Sequence, residues 1–279
     1  MSDEDLVGSD WGPGFIGFTI SIAMYGTAVG QSIFYARSFP KDPIFTKLIV
    51  FLLFIADTVH LLGACYFYWV QLISCRRIKT WSCQTQLPPE TWLAVPINFL
   101  VTFTVQILYC QRIWIISGKK KRVTVPILIT AVVQLGLGSW SSALGIQHKT
   151  IAYLSSTPLT AYAAFASTVC DILITSAVFK YLWRSQRDIR MRSRPTFIQE
   201  LATVSINMGT LTCLVSLSVG IVYLVQESQG EHYWVTAPGV VLSRCYINSF
   251  LAVLNARRSI RDRERHLYTI EIPTLSAIT

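Results

Sequence analysis

The chain has 279 residues, 52% apolar and only 14% charged, with a mean hydropathy of +0.46. A soluble domain carries about one quarter charged residues, so this composition excludes an ordinary globular protein and points to a chain whose solvent is lipid. The net charge of +9 does not indicate nucleic acid, because the cations stand between apolar runs rather than along one face of a soluble domain.

The start, Met1 to Asp10, is acidic and lacks the basic region of a cleaved signal, so the first apolar run is read as retained. Apolar runs long enough to cross a bilayer as helices occupy residues 12–35, 46–70, 91–117, 123–146, 158–183, 198–225 and 232–256. They predict an all-α integral membrane protein with a seven-transmembrane-helix bundle. Residues 1–11 are expected as an extracellular N-terminus and 257–279 as a short basic cytoplasmic tail.

Orientation follows from the cations. With the N-terminus outside, seventeen of the 24 Lys and Arg residues fall on the cytoplasmic side, in clusters such as Lys119 to Arg122 and Arg257 to Arg265, and four (Arg76, Arg77, Lys79, Lys149) fall outside. Trp11, Trp69, Trp92, Trp114, Trp183 and Trp234 stand near predicted span ends, as an aromatic belt does. Pro96, Pro126, Pro158 and Pro238 lie in first turns, where a missing N–H costs little, so no broken span is expected.

Two small-xxx-small pairs, Gly26 with Gly30 and Gly138 with Ser142, suit close helix contact, intramolecular in the simpler reading and a dimer face in the other. Five of the seven cysteines lie within apolar runs and read as core filler, whereas Cys75 and Cys83 share the one long loop, on the oxidising side, and are expected to form a disulfide. The Arg-rich stretch 257–267 reads either as a short amphipathic helix on the cytoplasmic leaflet or as a disordered basic tail.

The informative residues are the polar ones inside the spans. Counted from the cytoplasmic ends at ~1.5 Å of rise per residue, Asp57, Gln106, Gln134, Asp171, Asn207 and Arg244 all lie about nine to twelve residues deep. His60 is one turn beyond Asp57 on the same face, and Asn248 one turn from Arg244. Charge at this depth must face protein or trapped water. If the helices pack in order as a ring, Asp57 and Arg244 meet as an ion pair that fixes register. Alternatively the same residues line a ligand pocket or ion path, and Asp171 stands out because no cation is its obvious partner.

Tyr25-Gly26, Gln31 and Tyr35, Asp57-Thr58 with His60, Gln106 followed by Arg112-Ile113-Trp114, Asp171 to Thr175, and Tyr246 with Asn248-Ser249, Leu251-Ala252 and Leu254 to Arg257 together resemble a large group of proteins. It comprises fungal, mostly basidiomycete, seven-helix membrane proteins defined by a domain of unknown function. The resemblance runs from the first span to Arg257 and implies architecture rather than activity.

A receptor-like or sensory role fits seven spans, an outside N-terminus and basic inner loops. The marks of a rhodopsin-like receptor are mostly missing, since the sixth span has no proline and the seventh no Asn-Pro-x-x-Tyr. A retinal protein needs a lysine in the last span, and there is none. A three-histidine zinc hydrolase fails because His60 is the only histidine inside a span, His148, His232 and His266 lying in a loop, at a span end and in the tail. The rival reading is a transporter or lipid-handling protein that uses the midplane ionisable groups. The expectation is therefore a non-enzymatic multi-pass protein of the plasma membrane, without metal or cofactor and without nucleic acid. Its partners are the lipid bilayer, an unknown small-molecule ligand and an unidentified cytoplasmic protein.

Overall fold

The computed structural model describes residues 3–75, 83, 86, 88, 93–150, 157–188, 197–229 and 234–275. They form helices α1 (Asp3–Ser38), α2 (Ile44–Trp69), α3 (Ala94–Ile116), α4 (Lys121–His148), α5 (Pro158–Asp188), α6 (Phe197–Gln229) and α7 (Thr236–Leu275). All seven are long and apolar enough to cross a membrane. Backbone groups satisfied within each helix are what lipid demands of a spanning segment. The outward faces are correspondingly greasy, with Ile16, Phe51, Leu62, Ile129, Trp140 and Leu214 among the exposed large side chains.

Neighbours in sequence pack as neighbours in space, and α1 closes the ring against α7. α3 and α7 also reach across it, α3 touching α5 and α7, and α7 touching α2. α7 is the most enclosed span, with 67% of its apolar window buried. The two ends of the bundle are called here the N-side, which holds the chain's N-terminus and the α2–α3 loop, and the C-side.

Predicted spans and observed helices agree to a few residues except at three places. The helix of the first span extends back to Asp3, ahead of the span itself, which starts at Gly12 as expected. α2 runs on through a π-helical turn, Val70–Ser74. The basic stretch 257–267 is not a separate surface helix, because α7 continues through it unbroken as one helix of 40 residues. At ~1.5 Å per residue that is ~60 Å, twice the hydrocarbon core.

Close approaches are made where side chains are absent. A Cβ on Gly17 would strike the backbone of Ala237 in α7, and one on Gly138 would enter the ring of Phe99 in α3. Gly138 thus serves packing within the molecule, as the simpler reading held. Gly26 and Gly30 do not, since a Cβ on either would meet nothing. α1 turns its buried residues Ser21, Ala28 and Tyr35 inward and leaves those two glycines on its outer face.

Both ends are pinned. On the N-side Cys75 and Cys83 are disulfide-bonded with Cα atoms 5.4 Å apart, Gln86 makes an antiparallel bridge with Thr150, and buried Gln71 donates to the Gln86 carbonyl at 3.4 Å. Arg76, Arg77 and Lys79 lie outside the described residues. On the C-side Asp42, between α1 and α2, accepts from Arg257 at 2.6 Å and from the Tyr35 hydroxyl at 3.0 Å. The Arg257 guanidinium also lies 4.4 Å from the centroid of the Phe39 ring.

Candidate functional site

Arg244 is fully buried in the membrane-spanning part of α7, and each of its three guanidinium nitrogens has a partner. Nε donates to Ser21 Oγ in α1 at 2.9 Å, Nη1 to the backbone carbonyl of Asp57 at 3.0 Å, and Nη1 also forms an ion pair with the Asp57 carboxylate. Nη2 lies 3.2 Å from His60 Nδ1. An arginine nitrogen can only donate, so His60 accepts through Nδ1 and carries its proton on Nε2 as a neutral imidazole. The ring of Tyr25 covers the guanidinium, with its centroid 5.7 Å away. Tyr25 is itself held by Thr58: Thr58 Oγ1 spends its proton on the Phe54 carbonyl at 2.8 Å, so the Tyr25 hydroxyl donates to it at 3.0 Å.

One helical turn along α7, Asn248 donates to the Arg244 carbonyl at 2.9 Å and to the Met24 carbonyl of α1 at 3.0 Å. Asn255 repeats the contact lower down, reaching the Gln31 carbonyl at 3.0 Å. The polar stripe on α7 thus fastens α1 along its length. Tight α1–α7 packing is what brings Ser21 and Tyr25 to the arginine.

A second network lies beside the first, between α3, α5 and α7. The Tyr246 hydroxyl donates to Asp171 Oδ2 at 2.7 Å and is 2.8 Å from Ser167 Oγ. Gln106 Nε2 is 3.1 Å from Ser167 Oγ and 3.3 Å from Asp171 Oδ1. With the tyrosine proton committed to Asp171, Ser167 must donate to Tyr246, and one amide proton of Gln106 then serves Ser167 while the other serves Asp171. The result is a closed ring of four side chains in which each donor polarises the next. Asp171 has no cation in this ring. It is held by neutral donors.

Above both networks, on the N-side, is a cavity of about 200 Å³. Its walls are largely apolar, with Phe67, Phe99, Val219 and Leu242 among them, and its polar lining includes His60, Gln134 and Ser167. Gln134 is 1% exposed, and its Oε1 accepts no hydrogen bond. Asn98 Oδ1, also lining the cavity, is likewise without a donor. Below the networks, on the C-side, Val105, Tyr109, Ile113, Val253 and Leu254 fill the interior.

The residues expected at one depth therefore divide. Asp57, His60, Arg244 and Asn248 form one network, Gln106 and Asp171 the other, and Gln134 stands alone at the cavity. Asn207 is a correction, because it is exposed on the outer face of α6. The inward stripe of that helix is Thr212, Ser216, Val219 and Tyr223, and five residues before Thr212 is about 140° away around the helix. Ser21, Tyr25, Ser167 and Tyr246 were missed as network members. The one available signal was spacing: Ser21 and Tyr25, like Ser167 and Asp171, are one turn apart on a common face. Among the described residues no cluster of His, Cys, Asp and Glu could hold a metal.

Residues 167–259 match the model of a family of unknown function (DUF6534). That segment holds Ser167, Asp171, Arg244, Tyr246 and Asn248, and so contributes to both networks. No curated protein matches the chain. Among solved structures, the crystal structure of thermophilic rhodopsin is similar over 91% of this chain and 97% of that chain, at 14% identity and a TM-score of 0.41.

Proposed function

We propose that this multi-pass membrane protein is a receptor-like sensor whose ligand is a small, uncharged, mainly apolar molecule with a hydrogen-bond donor, bound in the N-side cavity. The observation that carries this reading is the cavity itself, because His60 ties it to the Arg244 network and Ser167 to the Asp171 ring. An occupant that repositions either side chain shifts contacts among α1, α2, α3, α5 and α7 together. At about 200 Å³ it exceeds the 150 Å³ apolar cavity that suffices for benzene and falls short of a drug-sized pocket. Charge is disfavoured, since Arg244 already has its counter-ion and the walls are apolar. A donor on the ligand is called for by the open acceptor on Gln134.

A carrier requires its site to be reached from both sides in turn, whereas here apolar packing fills the C-side below the networks. That favours a sensor over the transporter reading. With the N-terminus outside, the cavity opens from the exterior of the plasma membrane, and the reading involves no catalysis.

The test is thermal unfolding of the purified chain in neutral detergent with a panel of monocyclic alcohols and phenols and, for each, the hydrocarbon of equal size. A binding alcohol at a hundredfold its Kd should stabilise by about 2.7 kcal/mol. The shift should saturate, exceed that of the matched hydrocarbon, and shrink in Gln134→Leu. Equal shifts for alcohol and hydrocarbon, or an undiminished shift in Gln134→Leu, would show that the polar end of the cavity does not read the ligand.

A further inference from the structure

The second concavity lies at the opposite end of the molecule and has the opposite character. It is an open groove of about 600 Å³ lined by Lys120, Lys121, Arg122, Val123, Lys180 and Tyr181. Its charge is concentrated by the backbone. Gly118 and Lys119 both adopt left-handed conformations, with φ of 69° and 61°, and this sharp turn brings α4 back beside the end of α3, so that consecutive cations crowd one edge. Lys180 faces them from α5, the next helix in the ring. Among the described residues no acidic side chain lines the groove. The α4 N-terminus has neither a side-chain cap nor an acidic first turn, so its positive end and its free N–H groups add to the same field. Lys120 Nζ sits 6.0 Å from the centroid of the Tyr181 ring, which forms the groove's aromatic floor.

The groove's level in the membrane identifies the occupant. The apolar run of α5 gives way to charge at Arg184, and that of α4 follows the cations Lys119 to Arg122, so the groove lies at the level where hydrocarbon gives way to phosphate. Val123 continues its wall toward the acyl region. A tyrosine at such a boundary sits among headgroups, and basic pockets between transmembrane helices hold phosphorylated ones.

We propose that the groove between the α4 N-terminus and α5 binds the phosphorylated headgroup of an anionic phospholipid, with Lys121, Arg122 and Lys180 as its phosphate ligands. Its chemistry is that of a polyvalent phosphate, which a membrane lipid or a soluble phosphate could supply. The position of Val123 and Tyr181 favours the lipid. The inference is independent of the N-side cavity and stands whether or not that cavity binds anything.

The purified full-length protein in neutral detergent is titrated with soluble short-chain phosphatidylinositol bisphosphate, with short-chain phosphatidylcholine and inorganic phosphate as comparators at equal ionic strength. The first lipid should bind saturably, phosphatidylcholine should not, and inorganic phosphate should compete only weakly. Lys121→Gln/Arg122→Gln/Lys180→Gln should weaken binding by about tenfold or more, each cation being worth about fivefold near a membrane surface. A control of equal charge change, Arg37→Gln/Lys41→Gln/Arg261→Gln, removes exposed cations of the same side and should alter binding by less than about twofold. Should the first triple not yield folded protein, Lys180→Gln alone should cost about fivefold. Equal loss in both triples would reduce the groove to diffuse basic charge. An unchanged affinity in the groove variants, or competition by inorganic phosphate as strong as by the lipid, would likewise overturn the assignment.

Discussion

Arg244 holds three helices through one side chain. Ser21 belongs to α1, Asp57 and His60 to α2, and the arginine itself to α7. A guanidinium removed from water is tolerable only when each of its donors has an acceptor and its charge a partner, and taking one partner of such a pair away costs about 3–5 kcal/mol. Asp57→Asn and Arg244→Gln should each lose that much stability, read as a fall in folded yield and in unfolding temperature in detergent, and the double variant should lose less than the sum of the two. Asp171→Asn should behave differently. Its remaining carbonyl oxygen can still accept from Tyr246, so the expected cost is about 1 kcal/mol. A strictly additive double variant, or an Asp171→Asn protein as crippled as Asp57→Asn, would mean that the wrong carboxylate has been placed opposite the arginine.

Among the helices, α7 is central because its polar stripe faces α1 and α2 while Tyr246 faces α3 and α5. α1 can lie that close only because Gly17 presents bare backbone to Ala237. A methyl group there meets main chain rather than a flexible side-chain tip, so Gly17→Ala should destabilise by about 1–3 kcal/mol. Gly26→Ala and Gly30→Ala, on the outer face where nothing is near, should leave the unfolding temperature of the monomer unchanged to within about 0.5 kcal/mol. Comparing the three variants by thermal unfolding separates glycines that permit packing from glycines that merely share its spacing. Equal effects at all three positions would mean that helix propensity rather than the α1–α7 contact is being measured.

For the molecule as a whole, the expected sidedness has a direct readout. An N-terminal epitope tag should be stained in intact cells, and a C-terminal one only after permeabilisation, because cations collect on the C-side. The disulfide Cys75–Cys83 lies on the N-side, and such bonds persist in oxidising compartments. Labelling in the opposite sense would reverse the orientation and leave that bond facing a reducing cytosol. The same sidedness decides from which side of the membrane a molecule entering the cavity comes, and which leaflet the basic groove meets.

Number, length and depth of the spans were legible in the sequence, because lipid requires an unbroken apolar run and every helical residue adds the same rise. That is why Asp57 and Arg244 could be set at one level, and why six of the seven predicted spans begin within a few residues of an observed helix. Direction was not legible to the same degree. Asn207 reads as a midplane residue yet faces outward, Gly26 and Gly30 have the spacing of a contact and make none, and Ser21 gives no sign in the sequence that an arginine more than two hundred residues later will need it. The α7 register against α1, the ring of Gln106, Ser167, Tyr246 and Asp171, and the groove between α4 and α5 arise from how seven helices are rotated against one another. Rotation is set by which side chains interlock across helices, and a helix considered alone contains no information about its neighbour's face.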